Sequence, residues 1–428
     1  MRCVIRTAGL GVSDMRRRLL KHKWVLLFAA IGPGLIAANA DNDAGGITTY
    51  SLAGARFGYG LLWVLTIITL SLAVTQEMGA RMGAVTGKGF GGLIREKFGA
   101  RWTAFAVCVM LIANLGTTNA EFAGIATSLQ IFGVSKYISL PIAAVAIYLL
   151  LANFDYRRVQ RVFLISSSLY IAYVVSGFLA HPDWSFALKS LVRPTISLRT
   201  DYLVMFVATV GTTITPWGQF FIQSFIVDKR LSKEDLPYAR ADVYAGAFFT
   251  DFISFFIIVS CAATIFATGG QINDAADAAK ALHPLAGRFA STLFAFGLLN
   301  ASLLGAAVLP LTSAYATCEA FGWEAGIDKR PSEAPMFFGL FTFFIIASSL
   351  IVLIPGIPLL PIMVFSQVLN GALLPVILIF VLLVINDKRV MGDYTNSRVF
   401  NIIAMLTTIG LIVMTILLLA SPLIERLG

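Results

Sequence analysis

Charge is what this sequence has little of. Asp, Glu, Lys and Arg make up 13% of its 428 residues, about half the share of an ordinary soluble domain. That excludes a soluble globular enzyme, a disordered chain and a nucleic-acid-binding domain, all of which need a polar or charged surface. Cysteine is scarce as well. Cys3, Cys108, Cys261 and Cys318 stand far apart, so there is no disulfide framework and no zinc-type spacing. The three histidines, His22, His181 and His283, fall between apolar blocks, which argues against an imidazole ligand or proton relay inside a membrane. No pattern pairs a nucleophile with a base, so a membrane-embedded hydrolase is disfavoured and the protein is expected not to be an enzyme.

Apolar length is what is present. Hydrophobic residues reach 58% and lie in blocks long enough for spans of about 20 residues. The blocks place spans near 24–53, 61–81, 101–131, 139–153, 160–180, 202–227, 239–266, 286–320, 336–354, 358–381 and 400–420. The expectation is an all-α polytopic membrane protein of about eleven helices. A basic cytoplasmic segment, 1–23, precedes a single transmembrane domain, 24–428.

The net charge of +9 could suggest nucleic acid, but the basic residues sit in short loops. With the N-terminus inside, 24 of the 32 Lys and Arg fall on the cytoplasmic side. That bias places the N-terminus in the cytoplasm, the C-terminus outside and the protein in the cytoplasmic membrane. A cleaved signal peptide is the competing reading of the start. The long basic region and Gly32-Pro33-Gly34 within the apolar run argue against it.

Two spans are interrupted. The first holds Asp41-Asn42-Asp43-Ala44-Gly45-Gly46. A charge at that depth costs about 3 kcal/mol or more, so it must face a cavity or partner. The sixth holds Gly211-Thr212-Thr213-Ile214-Thr215-Pro216-Trp217-Gly218-Gln219, where Pro216 removes a donor and clashes with the preceding turn. Asp43 and Thr215 are 172 residues apart, with five spans per interval, and an odd number reverses the entry side. That is an inverted repeat, with the substrate site between its two broken helices. Repeat one covers about 24–180, repeat two about 202–381, and the helix near 400–420 is an addition.

The breaks offer Asp43, the Thr212 and Thr215 hydroxyls and freed carbonyls. Gln367 of the tenth span adds a membrane-embedded amide, and Asp41, Asn42 and Gln223 stand nearby as secondary candidates. Carboxylate, carbonyl, amide and water suit Mg²⁺, Ca²⁺ or Mn²⁺. Each residue also has a plainer use: Asp41 as a cap, the threonines bonded to their own helix, Gln367 as interhelical glue.

Gly32-Pro33-Gly34, Asp43-Ala44-Gly45-Gly46, Ala120-Glu121, Gly211 to Pro216 and Ser366-Gln367-Val368 with Pro375 resemble the Nramp family of divalent metal transporters. The likeness covers about residues 24 to 420. It implies a LeuT-type fold of five plus five helices, with helices one and six broken. It also implies metal ligation by Asp43, the Gly46 position, Thr212, Thr215 and Gln367, and a place for Glu121 on a proton route. The departures resemble the Nramp-related magnesium transporter branch. Gly46 replaces an Asn, Thr215 a Met, Trp217 and Gln223 two His, and Thr118 an Asp. The ninth span carries no Lys or Arg.

The expectation is therefore a secondary transporter importing Mg²⁺, and also Mn²⁺, by alternating access without proton coupling. Its partners would be the ion and the bilayer, with no resident cofactor and no nucleic acid. The alternatives are a proton-coupled Mn²⁺ or Fe²⁺ transporter and a sodium-coupled organic-solute symporter of the same architecture. A neutral first break would have favoured the symporter.

Overall fold

A computed structural model describes residues 42–153, 167–326 and 329–427. Asp41, the glycine–proline run before it and the basic 1–23 segment lie outside the described residues. The chain is helical throughout these segments: α1 (Ala44–Phe57), α2 (Leu62–Thr86), α3 (Phe90–Gln130), α4 (Lys136–Asn153), α5 (Ile171–Leu179), α6 (Thr200–Thr213), α7 (Pro216–Asp228), α8 (Leu236–Thr264), α9 (Ala290–Phe321), α10 (Pro335–Leu353), α11 (Leu359–Ile385) and α12 (Arg398–Leu427). Short helices such as Trp184–Ser190 and Ala275–Ala279 sit in the connections.

Among the described residues, seven helical stretches are long and apolar enough to cross a bilayer. The shorter α4 and α5 and the split pair α6–α7 supply three more spans. α1, 14 residues long, is a further buried helix. Large apolar side chains such as Phe343, Leu350, Ile409 and Leu419 face outward, as expected where the solvent is lipid.

The second break has a local cause. Proline disfavours α geometry in the residue before it, and Thr215 is extended at φ −100° and ψ 147°. Helix α6 therefore stops at Thr213 and α7 restarts with Pro216 at its first turn. The helix after the first interrupted stretch begins alike: Asp43 is extended and α1 starts at Ala44. Both restarts are capped by the residue at the break. Asp43 Oδ1 accepts from the Gly46 amide at 2.6 Å, and Thr215 Oγ1 from the Gly218 amide at 3.2 Å. The two halves of the inverted repeat thus use one capping geometry.

One span differs from the sequence expectation. Helical structure begins at Phe90, well before 101, and turns at Gly99, whose φ of 79° is open to glycine and strained for other residues. The charged segment 90–98 therefore joins α3 as an angled extension. His283 opens a one-turn helix, His283–Ala286, instead of lying in a loop.

Candidate metal site between the broken helices

Helix α11 brings the two breaks together. A Cβ on Gly45 would collide with the Gln367 side-chain amide, and one on Gly211 would collide with the Gln367 carbonyl and the Gly371 backbone. Glycine at both positions lets α11 lie directly on the first and sixth spans. A third tie is the 2.5 Å hydrogen bond between Tyr50 of α1 and Thr213 of α6.

Asp43 is buried, with 3% of its surface exposed. Its Oδ1 is occupied by the Gly46 amide. Glu121 of α3 is fully buried and lies against Asp43. One Glu121 oxygen accepts from the Ala44 amide at 3.4 Å, while Oε1 has no hydrogen-bond partner. Two carboxylates side by side in a membrane interior repel each other, by about 4 kcal/mol at 4 Å and an effective dielectric of about 20. A divalent cation between them, or one proton shared by them, relieves this repulsion.

Further oxygens belong to the second break and to α11. At the C-terminal end of α6 the last carbonyls lack helical partners and favour positive charge. The Thr212 hydroxyl is buried there without a partner. Gln367 sits in a chain of amides: its Oε1 accepts from Asn370 Nδ2 at 3.0 Å, and Asn370 Nδ2 also meets the Thr117 hydroxyl at 2.9 Å.

The structure sorts the residues named from sequence. Asp43, Thr212, Thr215 and Gln367 lie at or against the two breaks, and Glu121 stands beside Asp43. Three others make bonds of their own. Gln223 is two turns into α7, where its amide donates to the Lys88 carbonyl at 2.9 Å; helical rise carries it away from the break. Asn42 turns towards α8: its Nδ2 donates to Thr250 at 3.0 Å, its Oδ1 accepts from Ser254 at 3.4 Å, and its carbonyl accepts from Tyr170. Gly46 donates its N–H to Asp43 Oδ1. Thr118, which stands where the resembled family carries an Asp, donates to the Asn114 carbonyl of its own helix at 2.7 Å.

Sequence reasoning missed Met363. It lies one turn before Gln367 on α11, and its sulfur accepts from Thr48 of α1 at 3.4 Å. The breaks themselves hold no thioether, but α11 places one about a turn away. Its position four residues before Gln367, on the same helix face, was the available signal. Among the described residues no three His, Cys, Asp or Glu side chains converge, so an ion here would be held by few charges and many neutral oxygens.

The sequence profile described as natural resistance-associated macrophage protein-like, Nramp, matches residues 34–421. A divalent metal cation transporter, MntH, from Erwinia tasmaniensis is 28% identical, covering 89% of this chain and 91% of its own. Among solved structures, the Eremococcus coleocola manganese transporter bound to an aromatic bis-isothiourea substituted compound has a TM-score of 0.74 at 22% identity, covering 93% of this chain and 87% of that one. Mhp1, a nucleobase-cation-symport-1 family transporter, has a TM-score of 0.56 at 16% identity, covering 92% of this chain and 91% of that one.

Proposed function

The chain belongs to the Nramp family, and from that premise we propose that it is a secondary transporter carrying hard divalent cations, Mg²⁺ and Mn²⁺, across the cytoplasmic membrane by alternating access. The observation that carries this reading is the buried Asp43–Glu121 pair where α1 begins, with the unpartnered, buried Thr212 hydroxyl at the end of α6. Such a donor set suits hard divalent ions. Thr215, with an oxygen where a thioether would favour softer metals, supports Mg²⁺. The repeats divide at about residues 24–180 and 202–381, with the N-terminus cytoplasmic, as the Lys and Arg bias suggests.

Transport in this reading runs without a coupled proton. Thr118, Trp217 and Gln223 are not titratable groups, and α10 carries no Lys or Arg. The membrane potential suffices as a driving force. Two charges crossing 100 mV are worth about 4.6 kcal/mol, roughly a thousandfold accumulation. Glu121 beside Asp43 favours the second reading, a proton-coupled Mn²⁺ carrier, because carboxylate chains serve proton relays.

Proteoliposomes containing a pH dye, with potential set by valinomycin, separate the two. The proposal expects Mg²⁺ and Mn²⁺ uptake that follows voltage with no matching proton flux. Stoichiometric acidification that needs the protein and the metal selects the coupled reading. Absence of any divalent uptake overturns both.

A further inference from the structure

Gln367 stands against the first break as a candidate oxygen ligand, yet its oxygen is turned away. The atom lying closest to Gly45 is Nε2, a donor that offers a cation nothing. Oε1 faces the next turn of α11 and accepts from Asn370 Nδ2 at 3.0 Å. Gln367, Asn370 and Thr117 are each fully buried, so these groups must satisfy one another.

The backbone has no room to bring the oxygen round. Gly211 lies on the Gln367 carbonyl and Gly371 on the Val207 carbonyl, each closer than a Cβ would allow, so α11 is pinned to α6. The side-chain amides are free to turn. Thr117 donates its one hydrogen to the Ala113 carbonyl at 3.1 Å and so meets Asn370 as an acceptor. Its Oγ1 lies 2.9 Å from Asn370 Nδ2 and 3.2 Å from Asn370 Oδ1. An amide rotated by half a turn puts oxygen and nitrogen in each other's places. When Gln367 and Asn370 rotate together, Gln367 Nε2 donates to Asn370 Oδ1, and Asn370 Nδ2 still reaches Thr117. Rotating one alone sets oxygen against oxygen or nitrogen against nitrogen, so the two are coupled. Only the 3.2 Å bond from Gln367 Nε2 to Ser366 Oγ is given up.

The two ends of the amide suit two states of the site. Without a cation, the buried Asp43 and Glu121 carboxylates favour a donor at the break. With a hard divalent cation bound, the site needs oxygens.

We propose, resting on the transport reading above, that Asn370 is a positioning residue that forms a two-position amide switch with Gln367. Nitrogen faces the break when the site is empty, and oxygen faces it when a divalent cation is bound. Thr117 holds the switch from α3 in both positions. Ion binding rotates the two amides together, and ion release turns them back.

The carboxylate introduced by Asn370→Asp can only accept, so it draws the Gln367 nitrogen to itself and leaves the oxygen at the break. Infrared spectra of the metal-free full chain, with glutamine isotope-labelled at its side-chain carbonyl, read that oxygen at mildly alkaline pH. The band missing from Gln367→Leu belongs to Gln367. It is expected to move in Asn370→Asp and, when Mn²⁺ is added, in the native protein. A Gln367 band that stays in place in a folded Asn370→Asp, or in native protein saturated with Mn²⁺, would overturn the proposal. Mn²⁺ titration calorimetry then separates the switch from the added charge. Asn370→Asp is compared with Gln367 present and in the Gln367→Leu background, where the charge acts alone. The gain in affinity is expected to be about fivefold larger with Gln367 present, the worth of roughly one hydrogen bond. Asn370→Leu, close to Asn in shape and unable to donate or accept, repeats the comparison without a charge and changes affinity only where Gln367 is present. Equal changes in the two backgrounds would overturn the proposal. No Mn²⁺ binding by native protein refutes the transport reading instead, and the response of the Gln367 band to Asn370→Asp still decides whether the amides turn.

Discussion

Replacing Asp43 with Asn separates two roles held by one side chain. Oδ1 caps α1 through the Gly46 amide, and the carboxylate supplies charge beside Glu121. Asn caps a helix as well as Asp does, whereas Ala loses about 1 kcal/mol of cap. Asp43→Asn therefore keeps the restart of α1 and eases the repulsion from Glu121, so its melting temperature is expected to stay level or rise. Ion binding behaves oppositely. Removing one partner of a buried charged contact costs about 3–5 kcal/mol. At 1.4 kcal/mol per decade that weakens divalent binding by roughly two to three and a half decades. Mn²⁺ titration calorimetry of detergent-solubilised protein, with thermal melts in parallel, reads both quantities. Asp43→Ala should abolish uptake too, but it mixes cap loss with charge loss. A folded Asp43→Asn protein that binds Mn²⁺ with less than about a tenfold loss would refute the placement of the ion at this break.

Thr215→Met is expected to raise cadmium binding relative to magnesium, since thioether sulfur is a soft ligand, and to destabilise by about 1 kcal/mol through loss of the Gly218 cap. Unchanged cadmium–magnesium competition would place selectivity at Met363 or elsewhere. The turn after α11 has its own pH dependence. Hydrogen bonds from Arg389 and then Lys97 hold the Asp387 carboxyl well below the usual carboxylate range. A depressed carboxyl stabilises the fold above its unfolded value of about 4 and loses that contribution as pH falls further. Thermal melts below about pH 4 should therefore show a loss in the native protein that is smaller in Asp387→Asn; equal losses would mean that the Lys97–Asp387 tie contributes nothing.

What could be read from the sequence was local. Pro216 forces its own break, because the ring acts on the residue before it and on the turn behind it. Asp43 followed by Gly45-Gly46 in an apolar run marks the first break, because a charge there cannot face lipid. The spans and their reversed repeat follow from the same apolar blocks. Gln223 and Asn42 mark the limit of that reasoning. Both are polar residues close in sequence to a break, and folding turns one towards Lys88 and the other towards Thr250. Met363 with Thr48, the Glu121–Asp43 contact and the seat of Gln367 on Gly45 each join residues from separate helices. Their partners are set by the angle at which whole helices cross and by glycines that permit close approach, and neither quantity is written in any single stretch of chain. The sequence by itself determined where the backbone must open and which oxygens are near in the chain. Tertiary packing alone decided which of them share a site.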